Sequence, residues 1–404
     1  MSVLVFAVPA LLSAAVWLHL LLGHGRYWLM DPRLPPDAHP DTDRPRVVAI
    51  VPARDEAEVL PSTLPTLLDQ DYPGGFRIVL IDDASSDGTG ELAEKLALER
   101  SSDRLSVLHS DGPPPGWAGK VAAMNRGVAA AEDSEYVLFT DADIAHPADS
   151  VRRLAAFAET HRLDLVSLMA RLRTETAAER AIVPAFVYSF AQLYPFPRVN
   201  RPSARTAAAA GGCMLVRRSA LIDAGGLERI ADAHIDDVAL GRLLKRRGRR
   251  SDAGADGGSR IWLGLTTEVR SVRPYPSLAD LWDMIARSAY TQLRRSPLFL
   301  LGTLIGLLLM YAVPPVLGLA FLPLALGGGN SGGTAWDIAT CASSLFAWAL
   351  ISISYLPTLR LYGLRAWRAP LLPAVMMLYG AMTFDSARRH YRGSGGAWKG
   401  RVAS

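Results

Sequence analysis

The sequence predicts an α/β domain with a mostly parallel sheet, placed between transmembrane helices at both ends of the chain. Two observations carry this prediction. In the central part of the chain, short apolar segments alternate with segments whose apolar residues recur at helical spacing, which is the pattern of a parallel sheet covered on both faces. Near both ends, uncharged stretches exceed the ~18 apolar residues that indicate a membrane-spanning helix.

The central segment begins with successive pairs of a strand and a helix. Each predicted strand is a short apolar run followed by polar or turn-forming residues. The predicted strands are Val47–Val51, Ile78–Ile81, Leu105–Leu108 and Tyr136–Thr140. The predicted helices that follow them are Val59–Leu68, Gly90–Arg100, Val121–Ala131 and a helix that Pro147 opens and that extends to about His161. A sheet of this kind binds its ligand at the carboxyl ends of its strands.

The uncharged stretches are Met1–Gly25, Leu298–Gly333 and Ile338–Leu359. A fourth apolar segment, Ala369–Phe384, is shorter and contains two prolines. Arginines beside these stretches predict that the central region lies in the cytoplasm, because basic residues favour that side of a membrane. Two questions stay open at this stage: whether the first stretch is a cleaved signal peptide, and on which side the basic tail lies.

The chain therefore divides into six predicted segments. They are a transmembrane helix at 1–25, a linker at 26–45, a cytoplasmic domain at 46–276, an amphipathic interfacial helix at 277–296, a membrane region of about two spans plus the short apolar segment at 297–387, and a basic tail at 388–404. The interfacial helix is predicted over Leu278–Arg295 because its apolar residues form one stripe at helical spacing. We expect a multi-pass protein of the cell inner membrane.

Composition and local sequence exclude several classes of protein. The net charge is only +4, and the basic residues cluster beside the apolar stretches, which favours attraction to anionic lipid over nucleic-acid binding. The two cysteines, Cys213 and Cys341, belong to different regions, so the chain has no disulfide framework. The first strand–helix turn, at 52–57, lacks glycine, and the Gly119-Lys120 pair lacks the P-loop context. Nicotinamide, flavin and P-loop chemistry are therefore not expected.

Acidic side chains follow three of the predicted strands. They are Asp55 and Glu56 after the first strand, Asp82 and Asp83 after the second, and Asp141 and Asp143 after the fourth. Carboxylates at such positions can accept hydrogen bonds from a uracil N–H or from ribose hydroxyls. A pair of carboxylates can also hold Mg²⁺ or Mn²⁺ against a diphosphate, which predicts Asp141 and Asp143 as metal ligands. The alternative, that these residues only form polar turns, stays open for the second and third pairs.

Five short motifs, taken together and in order, resemble the family 2 glycosyltransferases, inverting enzymes that use nucleotide-diphosphate sugars. The motifs are the segments 51–56, 82–89, 141–143, 234–237 and 292–295. The resemblance covers about 46–295. It implies a GT-A-like domain, a divalent cofactor (Mg²⁺ or Mn²⁺) and a nucleotide-sugar donor, with a UDP-sugar as the expected form.

The resemblance also implies roles for individual residues. The segment Lys120–Gly127 is similar to a family motif whose lysine lies near the donor, and Gly211–Arg218 is similar to the glycine-rich strand beside the sugar and the acceptor. The donor-binding residues expected on this basis are Pro52, Arg54, Asp55, Glu56, Asp82, Asp83, Lys120, Asn125 and Asp141. The residues expected on the acceptor side are Gly211, Gly212, Cys213 and Trp117. A merely solvated Lys120 is the alternative that stays open.

The expected catalytic residues are Asp236, Asp237, Gln292 and Arg295. Asp237 matches the second carboxylate of the acidic pair of the family, which is the catalytic base. Gln292 and Arg295 match the Q-x-x-R-W motif of membrane-bound members, although Ser296 replaces its tryptophan. Gln292 and Arg295 could also belong to a plain interfacial anchor. A further departure is Asp55, where asparagine is commoner in the family.

The membrane plan and the segment Gly116–Lys120 most resemble the hopanoid-associated glycosyltransferases. The predicted function is transfer of a sugar, with inversion, from a nucleotide-diphosphate sugar to a lipid acceptor at the cytoplasmic membrane face, with a hopanoid as the candidate lipid. Two alternatives stay open: a processive polysaccharide synthase, which the missing tryptophan disfavours, and a non-catalytic membrane-bound binding protein.

Overall fold

The computed structural model describes residues 4–35, 44–250, 260–327 and 334–393, without the side chains of 248–250. The predicted linker at 26–45 and the predicted basic tail at 388–404 therefore lie partly outside the described residues. The chain forms two compact units. The sheet unit comprises Asp31–Arg173 and Phe196–Pro274, and the helical unit comprises Met1–Met30, Thr174–Pro195 and Tyr275–Gly395. The sheet unit thus omits Thr174–Pro195, a segment inside the predicted 46–276 domain.

All strands among the described residues join one sheet. They are β1 Val47–Ala53, β2 Phe76–Asp83, β3 Leu105–Ser110, β4 Tyr136–Thr140, β5 Ile144–Ala145, β6 Leu165–Arg171, β7 Cys213–Arg217 and β8 Ile261–Ser271. Their order across the sheet is β3-β2-β1-β4-β7-β6-β8-β5. The expected α/β fold with a mostly parallel sheet is confirmed.

The described residues also form α-helices in both units. They are α1 Leu4–Gly23, α2 Leu60–Leu68, α3 Thr89–Glu99, α4 Gly119–Ala129, α5 Ser150–Thr160, α6 Ala177–Leu193, α7 Phe196–Val199, α8 Arg218–Asp223, α9 Asp236–Arg250, α10 Leu278–Ala286, α11 Ala289–Gln292, α12 Pro297–Leu307, α13 Val313–Ala325, α14 Ala335–Leu361 and α15 Leu372–Tyr391. The four predicted strand–helix pairs of the sheet unit correspond to β1–α2, β2–α3, β3–α4 and β4–α5. Most boundaries differ by one or two residues, and the largest difference is at α5, which begins at Ser150, whereas Pro147 only accepts a hydrogen bond from the Ser150 N–H in the preceding turn.

The pairing of the strands explains where the acidic residues lie. Strand β1 pairs in parallel with β2 and with β4, and Ala53 stands opposite Asp82 in the register. The carboxyl ends of these three strands therefore meet at one edge of the sheet. Strand β7 is antiparallel to β4 and to β6, and β5 is antiparallel to β8. These antiparallel pairs bring segments from the second half of the sheet unit to the same region.

The core of the sheet unit fixes the position of helix α4. Every residue of β1 is buried. A Cβ atom at Gly127 would lie 2.3 Å from Cγ2 of Ile50, so only glycine lets α4 pack this closely on β1. Since Lys120 lies in the first turn of α4, this contact helps to determine where its ammonium group points.

Among its described residues, the helical unit contains three helical segments that are long and apolar enough to cross a membrane, judged by length and composition. They are Leu4–Gly23, Pro297–Ala325 and Ala335–Leu361. The second comprises α12, a π-helical turn at Leu308–Ala312 and α13. The fourth apolar segment of the sequence, Ala369–Phe384, lies in a 3-10 helix at Ala366–Leu371 and in α15.

The predicted single helix over Leu278–Arg295 is wrong in its continuity. The structure divides it into α10 and α11, with Arg287 and Ser288 between them. The interruption coincides with contacts to α15: the backbone N–H of Tyr290 donates to Ser386 Oγ, and the hydroxyl of Tyr290 lies 2.9 Å from that of Tyr391. These tertiary contacts override the helical periodicity of the sequence.

Candidate active site

The Lys120 cluster, comprising Lys120, Asp141, Asp236 and Asp237, lies in the sheet unit. Lys120 Nζ is 2.8 Å from Asp141 Oδ1 and 3.2 Å from Asp236 Oδ2. Three elements supply these side chains: α4 carries the lysine, the end of β4 is followed by Asp141, and α9 begins with the acidic pair. The lysine side chain is 21% exposed, so the alternative of a merely solvated lysine does not describe this residue.

Asp237 is held in place by backbone groups. Its Oδ2 accepts a hydrogen bond from the Gly211 N–H at 3.0 Å, and its Oδ1 accepts one from the Val238 N–H at 2.7 Å. A Cβ atom at Gly211 would lie 3.2 Å from Lys120 Nζ and 3.5 Å from Asp237 Oδ2. Glycine at this position therefore leaves the space in which the Asp237 carboxylate and the Lys120 ammonium come close to each other.

A second glycine sets the distance between α9 and the segment before β7. A Cβ atom at Gly241 would lie 2.7 Å from the carbonyl carbon of Ala208. The helix can approach this backbone only because position 241 carries no side chain. The start of α9, with its two aspartates, is thereby brought against the predicted acceptor-side glycines.

The charges in the Lys120 cluster shift the pKa values of its members. Burial and the neighbouring Asp236 raise the pKa of Asp237, and Lys120 and the two backbone donors oppose them, with a net result of about 7. Burial also raises the pKa of Asp141, against the attraction of Lys120. Burial alone would lower the pKa of Lys120, but Asp141 and Asp236 raise it above its usual value. Asp237 can thus exchange a proton near neutral pH while the ammonium keeps its charge.

The Arg273 cluster, comprising Arg273, Glu56 and Asp143, is a second group of charges in the sheet unit. Arg273 Nη2 donates to both carboxylate oxygens of Glu56, at 2.8 and 2.7 Å, and its Nε lies 3.4 Å from Asp143 Oδ2. The same Oδ2 accepts a hydrogen bond from the Ser271 hydroxyl at 2.6 Å. The end of β8 thus fastens the loop that follows β4 to the loop that follows β1.

The loops after β1 and β2 are also joined to each other. Arg54 Nη1 donates to the carbonyl oxygens of Asp83, at 2.5 Å, and of Ala84, at 3.2 Å. Asp55, at a φ of 50°, accepts a hydrogen bond from the Ser86 N–H at 2.8 Å. These contacts join the two loops that carry Arg54, Asp55 and Asp83, three of the residues that were expected to bind the donor.

The two acidic pairs that could have formed only turns behave differently. Asp82 accepts a hydrogen bond from the Ser85 N–H at 3.0 Å, as a turn residue would, and also lies 3.3 Å from His109 Nδ1. The turn interpretation therefore describes part of what Asp82 does. Asp141 instead directs a carboxylate oxygen to Lys120. The turn interpretation does not describe Asp141.

Some predicted site residues have other surroundings. The amide of Asn125 donates to Glu228 at 3.1 Å, outside both charge clusters. Cys213 is fully buried in β7, and burial raises the pKa of its thiol to about 12, so its side chain packs in the core. Pro52 is buried within β1, where it can act only through backbone shape. Gly212 accepts a hydrogen bond from Thr140 Oγ1 through its carbonyl oxygen, and Trp117 is partly exposed.

Gln292 and Arg295 belong to the helical unit. The amide of Gln292 donates to the hydroxyl of Tyr194, and the side chain of Arg295 is exposed. Arg294 and Arg295 both have positive φ, at 56° and 54°, and the Tyr290 hydroxyl donates to the Arg295 carbonyl oxygen at 2.9 Å. The catalytic roles of Gln292 and Arg295 stay predictions.

Sequence reasoning missed Arg273 and Ser271. Both lie at the end of β8, a strand that no local pattern had indicated. Their contacts depend on the antiparallel pairing of Ile144 with Ser271, which joins positions more than a hundred residues apart. A prediction of β8 together with its register would have been needed to find them.

The side chains of this edge are suited to a divalent ion that is shared with a substrate. Among the described residues, no group of three or more His, Cys, Asp or Glu side chains is arranged to hold a metal. Asp141 and Asp143 offer two carboxylates, and Mg²⁺ is commonly held by one or two carboxylates together with substrate phosphates. In addition, the buried Asp236 Oδ2 accepts no hydrogen bond among the described residues, although it lies 3.2 Å from the ammonium. The donor set thus fits a hard cation that arrives with a diphosphate.

Comparison with known proteins gives a family match over part of the chain. Residues 48–225 match the family described as Glycosyl transferase family 2. Over 118 residues, the chain is 36% identical to the PGL/p-HBAD biosynthesis glycosyltransferase of Mycobacterium tuberculosis, covering 29% of this chain and 43% of the relative. Over 118 residues, it is 29% identical to poly(ribitol-phosphate) beta-N-acetylglucosaminyltransferase TarS of Staphylococcus aureus, covering 29% of this chain and 19% of the relative. The matches thus span less than half the length of these curated relatives.

Among solved structures, the fold is similar to that of the mannosyltransferase PcManGT from Pyrobaculum calidifontis, solved in complex with GDP-Man and Mn²⁺. The TM-score is 0.56 at 19% identity, with 98% of this chain and 100% of the other chain covered. At this identity the likeness shows the fold alone. The fold is GT-A-like, an α/β arrangement with a mostly parallel, curled sheet.

Proposed function

We propose that the protein transfers a sugar, with inversion, from a nucleotide-diphosphate sugar to a lipid hydroxyl at a membrane surface. The match of residues 48–225 to the family described as Glycosyl transferase family 2 supports this proposal. The observation that carries the proposal is the Lys120 cluster, in which a carboxylate with a pKa of about 7 lies against a glycine-lined space and beside a permanently charged ammonium.

In this proposal Asp237 is the general base. An inverting displacement needs one group that removes the proton from the attacking hydroxyl, and a base whose pKa lies near the working pH does so most effectively. The N–H groups of Gly211 and Val238 orient the carboxylate. Asp236 is a positioning residue: it raises the pKa of Asp237 and contacts the ammonium of Lys120.

On the donor side, Lys120 offers positive charge for a diphosphate, and Asp141 sets the position of that charge. A divalent ion held by Asp141 and Asp143 would supply further positive charge for the departing diphosphate. In the proposal, the carboxylates at the end of β2 and in the loop after β1 would accept hydrogen bonds from a nucleoside. A UDP-sugar is the expected donor, and the GDP-Man bound by PcManGT makes a GDP-sugar the second candidate.

The membrane part of the proposal rests on the helical unit. Its three long apolar helical segments fit three spans. The segment after α14 turns back: Trp348 Nε1, in the middle of α14, donates to the Pro370 carbonyl oxygen at 3.0 Å, whereas Tyr391, at the end of α15, reaches Tyr290. This path supports a re-entrant segment rather than a fourth span.

A re-entrant α15 also supports one membrane side for the basic residues. Arg388 and Arg392 lie close to Tyr391, which contacts the segment that precedes α12, and Arg294 and Arg295 lie in that same segment. The sequence could not decide the side of the tail. In the proposed topology these arginines share the cytoplasmic side of an inner membrane, as charge bias requires.

The acceptor is proposed to be a lipid because apolar helices and exposed arginines accompany the transferase domain. A hopanoid is the specific candidate, on the strength of the sequence resemblance. A processive polysaccharide synthase is the alternative, and it differs in a measurable way, since its product grows in length whereas a lipid transferase adds one sugar.

The test uses the full chain purified in detergent. Nucleotide release is measured with a panel of UDP- and GDP-sugars, with and without Mn²⁺ or Mg²⁺, and with and without bacterial lipid extract that contains hopanoids. We expect release that needs both the metal and the lipid and that is lost in Asp237→Asn. Mass spectrometry of the lipid fraction then identifies the product. Release without lipid, or a ladder of polymer lengths, would contradict the lipid-transferase proposal.

A further inference from the structure

Arg273 contacts two buried carboxylates at once. Glu56 is 7% exposed and Asp143 is 8% exposed. Ionised carboxylates so far from water need a compensating positive charge or several hydrogen-bond donors. In the Arg273 cluster the guanidinium supplies the positive charge, and the Ser271 hydroxyl supplies a donor to Asp143.

The two contacts of the guanidinium are unequal. Its Nη2 lies 2.8 and 2.7 Å from the two oxygens of Glu56, within hydrogen-bond distance, whereas its Nε lies 3.4 Å from Asp143 Oδ2. Glu56 is therefore the anchor of the arginine, and Asp143 is the looser partner. The guanidinium can withdraw from Asp143 without leaving Glu56.

Asp143 keeps its orientation when the arginine withdraws. Ser271 Oγ donates to Oδ2 at 2.6 Å, and the Val272 N–H donates to the Asp143 carbonyl oxygen at 2.9 Å. The β5–β8 pairing holds the same loop from the next residue onward. The carboxylate is thus presented by β8 itself, and the arginine contributes charge rather than shape.

We propose that Arg273 is a resident counter-ion that competes with the divalent cation for Asp143, with Glu56 as its anchor. This inference rests on the proposed function, because it takes Asp143 as a metal ligand. When the cation binds, the guanidinium moves away from Asp143 and stays on Glu56. Arg273 thereby sets how tightly the domain binds the metal before a donor arrives, and acts as a positioning residue.

The competition predicts opposite effects for two substitutions. Arg273→Gln removes the competing charge and tightens Mn²⁺ binding, by about tenfold for a unit charge a few ångströms away at a partly exposed site. Glu56→Gln removes the anchor, leaves the guanidinium with Asp143 and weakens Mn²⁺ binding. Arg273→Lys keeps the charge and should restore an affinity close to that of the unsubstituted protein.

The measurement is Mn²⁺ binding to the full chain in detergent without nucleotide sugar. The electron paramagnetic resonance signal of free Mn²⁺ monitors this binding. The matched control is Arg153→Gln, because Arg153 is also a mostly buried arginine of the sheet unit in an ion pair, 2.6 Å from Glu268, and its ion-pair partners are not the predicted metal ligands. We expect unchanged Mn²⁺ affinity in this control.

Tighter binding in Arg273→Gln together with weaker binding in Glu56→Gln supports the inference, since misfolding could only weaken both. Weaker or unchanged binding in Arg273→Gln would overturn it, and would show that the arginine only shapes the site. Absence of Mn²⁺ binding in every variant would also overturn it. That last result would leave the transferase proposal to be judged separately by nucleotide release and lipid product.

Discussion

The Lys120 cluster and the Arg273 cluster use the same kinds of side chain in different proportions. In the Lys120 cluster one ammonium is surrounded by three carboxylates, and burial together with this excess of negative charge raises the pKa of Asp237 to about 7. In the Arg273 cluster one guanidinium meets two carboxylates, and a serine hydroxyl donates to one of them. The two clusters thus differ in their ratio of charges: the larger excess of negative charge accompanies a carboxylate with a raised pKa, whereas the guanidinium of the Arg273 cluster joins the two carboxylates that it contacts.

The largest expected effect is a loss of kcat when Asp237, the proposed base of the Lys120 cluster, is replaced. Asp237→Asn should lower kcat by about 10²–10⁴-fold, the usual contribution of a positioned general base. Donor binding should be retained, because the donor contacts in the proposal lie on Lys120 and the strand ends. The measurements are nucleotide release and isothermal titration with the donor. Asp232→Asn, an exposed carboxylate shortly before α9, is the matched control and should keep its activity.

Removing the cation of the Lys120 cluster should move the pH dependence. In the unsubstituted protein, kcat/KM should rise with pH through about 7, since Asp237 must be deprotonated to act. Lys120 lowers that pKa, so Lys120→Gln should shift the rising limb upward, by about one pH unit. Lys120→Arg keeps the charge and should keep the limb in place. If the rising limb of the pH profile is unchanged in Lys120→Gln, Lys120 does not influence the pKa of Asp237, which would contradict the proposed coupling of these two residues.

Removing the cation of the Arg273 cluster should lower the stability of the folded protein, and this effect should be larger than the effect on catalysis. Arg273→Gln deprives Glu56 and Asp143 of the charge they share, at a cost of about 1–3 kcal/mol, and the thermal midpoint should fall by a few degrees. Saturating Mn²⁺ should recover part of this loss, because a cation that binds only the folded state stabilises it. Arg153→Gln should show a loss that Mn²⁺ does not recover. Equal recovery in both variants would show that Mn²⁺ acts elsewhere.

The last expected effect is a pH dependence of stability. The pKa of Asp237 is raised from 3.8 to about 7, so between these values the folded state keeps a proton that the unfolded chain has released. Stability attributable to this group is therefore lost as pH rises across that window. Asp237→Asn removes this loss of stability. The thermal midpoint of the variant minus that of the unsubstituted protein should therefore be larger at pH 8 than at pH 5. A difference that does not change with pH would argue against the raised pKa.

The comparison also separates what local sequence predicts from what it cannot. The strands that carry Asp55, Asp82 and Asp141 were predictable, because each is an apolar run followed by polar residues. The position of Lys120 near the start of α4 was also predictable, because Lys120 directly precedes the helix predicted from Val121. The contact of Lys120 with Asp236 was not, since it depends on Gly211 and Gly241 allowing α9 to approach the segment before β7.

Arg273 shows the limit most clearly. Its partners Glu56 and Asp143 are 217 and 130 positions away in the chain, and nothing in the residues around it distinguishes it from Arg270, the other arginine near the end of β8. The break between α10 and α11 is a similar case. Its periodicity predicted one helix, and contacts of Tyr290 with α15 decided otherwise.

The sequence by itself determined the α/β class, the acidic strand ends and the long apolar helices, because these depend on the periodicity and composition of neighbouring residues. The tertiary structure decided which carboxylates contact the same lysine or arginine side chain, how far each carboxylate is buried, and where the chain after α14 turns back. Those properties come from antiparallel pairings, close glycine contacts and buried charges between distant segments. Such interactions form only when the chain folds and brings these segments into contact, so local sequence does not reveal them.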